Sequence, residues 1–274
     1  MTAGFDVPVK RPDAIDLIGP DFDRPASAPA SQTLIICSAP RTGSYELCRC
    51  LTAAGIGVPH EYFNSNYAHR LAKRWAFRGD ALAEGELGRY IDLLRRRRSQ
   101  NGVFATKLQF RHFDSILRND QGAALFQNAC VVHLFRPDVA NQFVSLRAAM
   151  ERGNWDFSAR QTTQPVVRNH ANSGEFVRQA LDELDWLLSE DTGFRRLFVL
   201  LGISPIFVTS DQLFRDPHAV VRRIASTMAV SVDAQRLEQA IAVSAPYDHH
   251  KREKTLVSLA EKFKEIAFQK APSP

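Results

Sequence analysis

Apolar positions along this chain come in short, β-branched runs set between long stretches of helical period. TLIICS (residues 33–38) is the first run, and Pro40 and Gly43 break the pattern directly after it. VFATKL (103–108), CVVHLF (130–135) and PIFVTS (205–210) are the others. Runs of this length and composition predict buried strands. The intervening spacing predicts helices over 44–54, 80–98, 111–128, 138–151, 174–201, 211–229 and 233–244, with a tail helix over 253–268. Short apolar strands alternating with long helices imply an α/β fold, a parallel central sheet flanked by helices. The strands are few for the length, so the helices are expected to form a substantial cap as well. Residues 1–30, rich in Pro, Ala and Asp and without sustained period, read as a loose N-terminal arm. Residues 31–274 read as a single domain.

Composition changes this picture little. The 274 residues carry 45% hydrophobic and 24% charged side chains, ordinary globular values, with a formal net charge of +5. A mild basic excess suits an anionic ligand. The four cysteines, Cys37, Cys48, Cys50 and Cys130, form no C-x-x-C pair and have no matching histidines. They read as reduced thiols, and no metal site is expected. The first thirty residues lack the apolar stretch of a secretory signal, and LFVLLGI (197–203) is too short to span a bilayer. The expectation is a cytoplasmic protein without a transmembrane segment. RRRR (95–98) reads as the solvated, cationic end of a helix rather than a nucleic-acid contact.

Candidate chemistry gathers where strands end. SAPRTGSY (38–45) joins the first strand to the first helix, at the sheet edge where α/β folds bind ligands. Helix-start N–H groups, the backbone freedom of Gly43, the hydroxyls of Ser38, Thr42 and Ser44, and the guanidinium of Arg41 together describe an anion site. A nucleoside-triphosphate P-loop is excluded, because the loop has no first glycine and Ser44, not lysine, follows Gly43. A phosphatase-type loop is excluded because Cys37 lies in the strand, four residues before Arg41. RPDVANQFVS (136–145) places Arg136 at the end of the third run and Ser145 on the helix after it, where the two could hold a second phosphate. Lys107 ends the second run and points into a cleft or pairs with an acid. Glu61, in PHEYF (59–63), is a carboxylate flanked by aromatics, a setting that can raise its pKa and make it a general base.

In this order the pieces resemble the sulfotransferase superfamily, and within it the bacterial trehalose sulfotransferase family. The resemblance is carried by SAPRTGS, PHEYF, ATKL and HLFRPDV and runs from about Thr33 to Pro217. It implies a P-loop-like sheet and sulfuryl transfer from 3'-phosphoadenosine 5'-phosphosulfate (PAPS), without a metal, to a hydroxylated small-molecule or glycan acceptor. It assigns Arg41, Thr42, Gly43 and Ser44 to the donor's 5'-phosphosulfate, Arg136 and Ser145 to its 3'-phosphate, and Glu61 to the base. Lys107 is retained from the K-x-H strand end of animal enzymes, while Gln109 stands where they have their histidine. A homodimer is implied as well. Two departures stand out. Tyr45 follows the loop serine where a second hydroxyl residue is common, and Val58 occupies the place of an acid that helps hold trehalose, which argues against trehalose as acceptor. The alternatives are an ATP-using kinase-like transferase and a silent binder of 3'-phosphorylated nucleotides. Trp155, Tyr62 and Phe63 are candidate ring platforms, Trp75 and Trp186 candidate core residues. His249 and His250 read as surface, and Lys251, Arg252 and Lys254 as a solvated tail.

Overall fold

The computed structural model of the chain describes residues 17–25, 28–117, 120–152 and 173–243. In chain order the elements are β1 (Gln32–Ser38), α1 (Ser44–Ala53), α2 (Ser65–Arg74), α3 (Leu87–Arg97), β2 (Ser99–Gln100), β3 (Val103–Leu108), a 3-10 turn (Phe110–His112), α4 (Phe113–Leu117), α5 (Asp120–Ala123), β4 (Cys130–Phe135), α6 (Val139–Arg152), α7 (Ser173–Leu201), β5 (Ile206–Thr209), α8 (Ser210–Arg215), α9 (Pro217–Met228) and α10 (Ala234–Ala242). The sheet order is β2-β3-β1-β4-β5. All neighbours are parallel except the two-residue β2, which pairs antiparallel with β3 at one edge. The expected α/β architecture with a mostly parallel sheet is therefore present.

Strand alternation divides the core into two layers. Leu34 and Ile36 of β1, with Val103 and Ala105 of β3, face α1, α9 and α10. Ile35, Cys37, Phe104 and Leu108 face the other way, toward α2, α3, α4 and the Phe194–Phe198 stretch of α7. Lys107 occupies the next position of the α1-facing series on β3, paired across the sheet with Ile36. A smaller cluster of Phe143, Leu146, Ala180 and Leu187 joins α6 to α7.

Several expectations are corrected by packing. The segment read as a loose arm is docked over its described residues: Leu17, Ile18, Phe22 and Ala30 are buried. Its tether is the run read as solvated arginines. Arg98 is wholly buried, donates to the Leu17 carbonyl at 3.0 Å and sits 3.2 Å from the Asp23 carboxylate. Arg95 donates to the Ala30 carbonyl at 2.6 Å, and Arg97 lies over the Trp75 ring. The helix expected over 80–98 begins only at Leu87. The helix expected over 111–128 is divided among short elements, with α4 ending at Leu117 and α5 spanning only Asp120–Ala123, and a Cβ at Gly122 would lie 2.0 Å from the Ile116 carbonyl oxygen, an approach open only to glycine. The helix over 211–229 divides at Asp216–Pro217, where proline opens α9 and Asp216 caps it through the Ala219 N–H at 2.8 Å. The tail helix expected over 253–268 lies outside the described residues.

Candidate active site

The loop after β1 is built to turn tightly. Arg41 has φ 66° and Gly43 φ 87°, both left-handed. A non-glycine residue held there costs on the order of 1 kcal/mol or more, and such turns aim successive N–H groups toward one point. At Gly43 a Cβ would lie 2.8 Å from the Phe214 ring, so a larger residue would have to displace that ring as well as strain the backbone. Gly43 is also the N-cap of α1, and no side chain caps that helix. Its first N–H groups and positive dipole end therefore face the loop. Ser38 is fully buried at the end of β1, and its hydroxyl has no hydrogen-bond partner among the described residues. An orphaned buried hydroxyl beside an uncapped helix start is a polar group placed for a ligand. Thr42 and Ser44 are buried, and the Thr42 hydroxyl donates to the Ala39 carbonyl at 3.1 Å, closing the loop on itself.

The second motif meets the first. Arg41 Nε donates to Ser145 Oγ on α6 at 3.1 Å, across 104 residues of sequence. Arg136 is buried directly beyond β4, two residues past Leu134, which pairs with Ser38 at the end of β1. Two residues outside the sequence prediction position this end of the sheet. Gln142 donates from α6 to the Pro40 carbonyl at 2.7 Å. Ser210, at the start of α8, donates to the Thr42 carbonyl at 2.8 Å and to the Phe135 carbonyl at 3.4 Å. Both were detectable in principle: Gln142 lies three residues before Ser145, on the same helix face, and Ser210 follows a strand end.

Lys107 pairs with an acid, and the acid is Glu61. The segment carrying Glu61 is laid against β3 by the His60 carbonyl, which accepts from the Lys107 N–H at 2.9 Å and from Thr106 Oγ1 at 3.2 Å. The pair is almost fully buried, with side-chain exposures of 2% for Lys107 and 6% for Glu61. Glu61 Oε1 accepts from Lys107 Nζ and from Gln109 Nε2 at 3.1 Å, and Oε2 accepts from Asn64 Nδ2 at 3.0 Å. The expected rise in the Glu61 pKa does not occur. Burial does push it up, but the charge and hydrogen bond of Lys107, with His112 and Asn64, outweigh burial and hold the carboxyl well below the usual range. Gln109, at the histidine position of animal enzymes, thus serves as an orienting donor to Glu61. Its turn is held from α7 by Glu190, whose carboxylate accepts from the Phe110 and Arg111 N–H groups at 2.5 and 3.2 Å.

Tyr45, the first departure from the resemblance, links the two halves. Its ring centroid lies 4.6 Å from Lys107 Nζ and 5.7 Å from the His60 ring. Val58, the second, is buried in the core, and its carbonyl accepts from the Tyr62 hydroxyl. Tyr62 and Phe63 are buried too, at 0% and 2% exposure, so they are packing residues and not ring platforms. Trp75 and Trp186 are half-buried, packed against the core clusters as expected. Trp155, His249, His250, Lys251, Arg252 and Lys254 lie outside the described residues. The cysteines are free thiols. Among the described residues no group of three or more His, Cys, Asp and Glu side chains is placed to hold a metal ion.

The model of the Stf0 sulphotransferase family matches residues 33–255. No curated protein matches the chain.

Proposed function

The chain belongs to the Stf0 sulphotransferase family, a bacterial trehalose-2-sulfotransferase family within the sulfotransferase superfamily, and from that membership we propose that it transfers a sulfuryl group from PAPS to a hydroxyl of a carbohydrate or glycolipid-type acceptor, with Glu61 as general base. The observation that supports this reading is the Arg41–Ser145 contact, which joins the loop after β1 to α6, while Tyr45, one residue beyond that loop, reaches the buried Lys107–Glu61 pair. The donor set fits a doubly phosphorylated nucleotide. An uncapped helix start, the orphaned Ser38 hydroxyl and Arg41, with Thr42, Gly43 and Ser44, suit the 5'-phosphosulfate. Arg136 and Ser145 suit the 3'-phosphate. The buried Val58 leaves no acid for trehalose at that place.

PAPS supplies a sulfuryl group whose sulfur–oxygen bond to the 5'-phosphate breaks as the acceptor oxygen bonds to sulfur. The remaining work falls to positioning and charge stabilisation by the protein. Glu61 is the group assigned the acceptor proton. A carboxylate offers about four acceptor sites. Two donors already occupy Oε1 and one occupies Oε2, which leaves Oε2 to receive the proton. Lys107 and Arg41 are assigned to the charge developing on the departing phosphate oxygen. The two roles are coupled. As Lys107 turns toward that oxygen, Glu61 loses its main compensating charge, and burial then raises its affinity for the proton. The reading extends to a cytoplasmic homodimer. No helix of the described residues is long and apolar enough to cross a membrane.

The test is release of adenosine 3',5'-bisphosphate from PAPS across a panel of sugar and glycolipid alcohols. Glu61→Gln should lower turnover by roughly a hundredfold or more, the usual scale of general-base loss, while the bisphosphate still binds. Near-normal turnover in that variant contradicts the base assignment.

A further inference from the structure

Lys107 faces a difficulty within the proposed transfer. Its ammonium is buried, and its anionic partner is Glu61. When Glu61 takes the acceptor proton it becomes neutral, so Lys107 loses this counter-charge while the negative charge on the leaving oxygen is still developing. Nζ also lies over the face of Tyr45, with the ring centroid at 4.6 Å. Attraction between a cation and an aromatic face depends on the ring quadrupole and is unaffected by the protonation of Glu61.

The ring is itself held from two sides. Tyr45 sits in the first turn of α1, one residue beyond Ser44, so the anion loop fixes its backbone. On its other side the His60 ring packs 5.7 Å from Tyr45, and His60 is itself held edge-on by Tyr67 at 4.4 Å. Burial and the neighbouring Glu61 push the Tyr45 phenol well above its ordinary pKa, so it stays neutral and its ring is a fixed platform, not a competing anion.

We propose that Tyr45 is the positioning residue for Lys107: its ring face retains the ammonium beside the loop while Glu61 passes from carboxylate to acid. The inference rests on the sulfuryl-transfer reading and deepens it. It also gives a physical account of the departure at this position, where a small hydroxyl residue would supply a hydrogen bond but no platform for the cation.

The experiment replaces Tyr45 by leucine, by phenylalanine, and by phenylalanines carrying increasing numbers of ring fluorines, which keep the shape of the ring and progressively remove its negative face. Steady-state transfer from PAPS and calorimetric binding of the bisphosphate are measured for each, with circular dichroism to establish folding. Tyr45→Phe should retain kcat within about twofold. Tyr45→Leu should lose roughly tenfold in kcat, about 1.4 kcal/mol, with bisphosphate affinity changed much less. Log kcat should fall in step with fluorination, a trend that a purely structural ring would not produce. Should the leucine variant fail to fold, the fluorinated series decides alone. A wild-type enzyme that transfers sulfate, with a flat response across that series, overturns this inference and leaves the transfer reading intact. Loss in Tyr45→Phe equal to that in Tyr45→Leu also overturns it, assigning the role to the hydroxyl. Absence of transfer by the wild type with every acceptor overturns the transfer reading and this inference with it.

Discussion

Removing the charge of Glu61 should destabilise the fold far more than removing the Glu61–Lys107 pair as a whole. Lys107 is 2% exposed and its ammonium is compensated by Glu61. In Glu61→Gln the carboxylate becomes an amide of similar size, so packing is kept while a buried cation loses its counter-charge. Breaking one side of a buried pair typically costs about 3–5 kcal/mol, and two unit charges about 4 Å apart at an effective dielectric of about 20 give about 4 kcal/mol. In urea unfolding, with a slope of about 3 kcal/mol per molar, the midpoint should fall by about 1 M or more. Adding Lys107→Met removes the stranded charge. The double variant should therefore be more stable than the sum of the single effects by about 2–3 kcal/mol, a coupling expected for residues in contact. The pH dependence has a definite sign. The folded-state pKa of Glu61 lies below its reference value of 4.5, so its contribution is present above that pH and is lost as the pH falls toward the folded value. The gap between wild type and Glu61→Gln should thus hold steady from pH 8 to about pH 5 and narrow below about 4.5. A single variant within about 1 kcal/mol of wild type, with additive effects in the double variant, would refute the claim that this pair is coupled and buried.

Three further predictions concern neighbouring features. His112 is pushed down from 6.5 to about 4 by burial, against the opposing pull of Glu61; the unfolded chain therefore binds the proton first, and about 3 kcal/mol of stability should be lost between pH 6.5 and 4, at 1.36 kcal/mol per pH unit, a loss absent from the pH profile of His112→Gln unfolding. Gly43→Ala meets both a left-handed backbone and the Phe214 ring at 2.8 Å, and should weaken bisphosphate binding roughly tenfold or more by calorimetry. Arg98→Met strands the Leu17 carbonyl and removes one partner of Asp23, so it should cost about 2–4 kcal/mol and, by hydrogen exchange, loosen residues 17–25 before the sheet.

Much of this architecture was legible in local pattern. The apolar runs at 103–108 and 130–135 coincide with β3 and β4, and β1 extends one residue before its run. The helix Ser44–Ala53 begins where the glycine break predicts. Long-range polar links carry no period and were not visible. RRRR reads as a solvated helix end until the docking of residues 17–25 shows Arg98 buried against Asp23 and Leu17. The helix Ser65–Arg74 was missed because only Ala68, Leu71 and Ala72 of its ten residues are buried, which leaves a faint apolar stripe. Among site residues, the apolar strand marks Lys107 as a cleft residue or the partner of an acid, and only the structure selects the acid, Glu61. The aromatics around Glu61 suggested a raised pKa. They suggested wrongly, because Lys107, forty-six residues away in sequence, decides the sign. Gln142 and Ser210 stand at positions that sequence could have marked, on the Ser145 face of its helix and after a strand end, but their contacts to loop carbonyls follow only from tertiary placement.

The central claim is a donor site selective for a 3'-phosphate, and calorimetric titration with adenosine 3',5'-bisphosphate, with ATP and AMP as controls, tests it most directly. The account predicts micromolar binding of the bisphosphate that ATP and AMP do not match, weakened at least tenfold by Arg136→Ala. Equal affinity for AMP, or an Arg136→Ala variant that binds the bisphosphate as tightly as wild type, would contradict it.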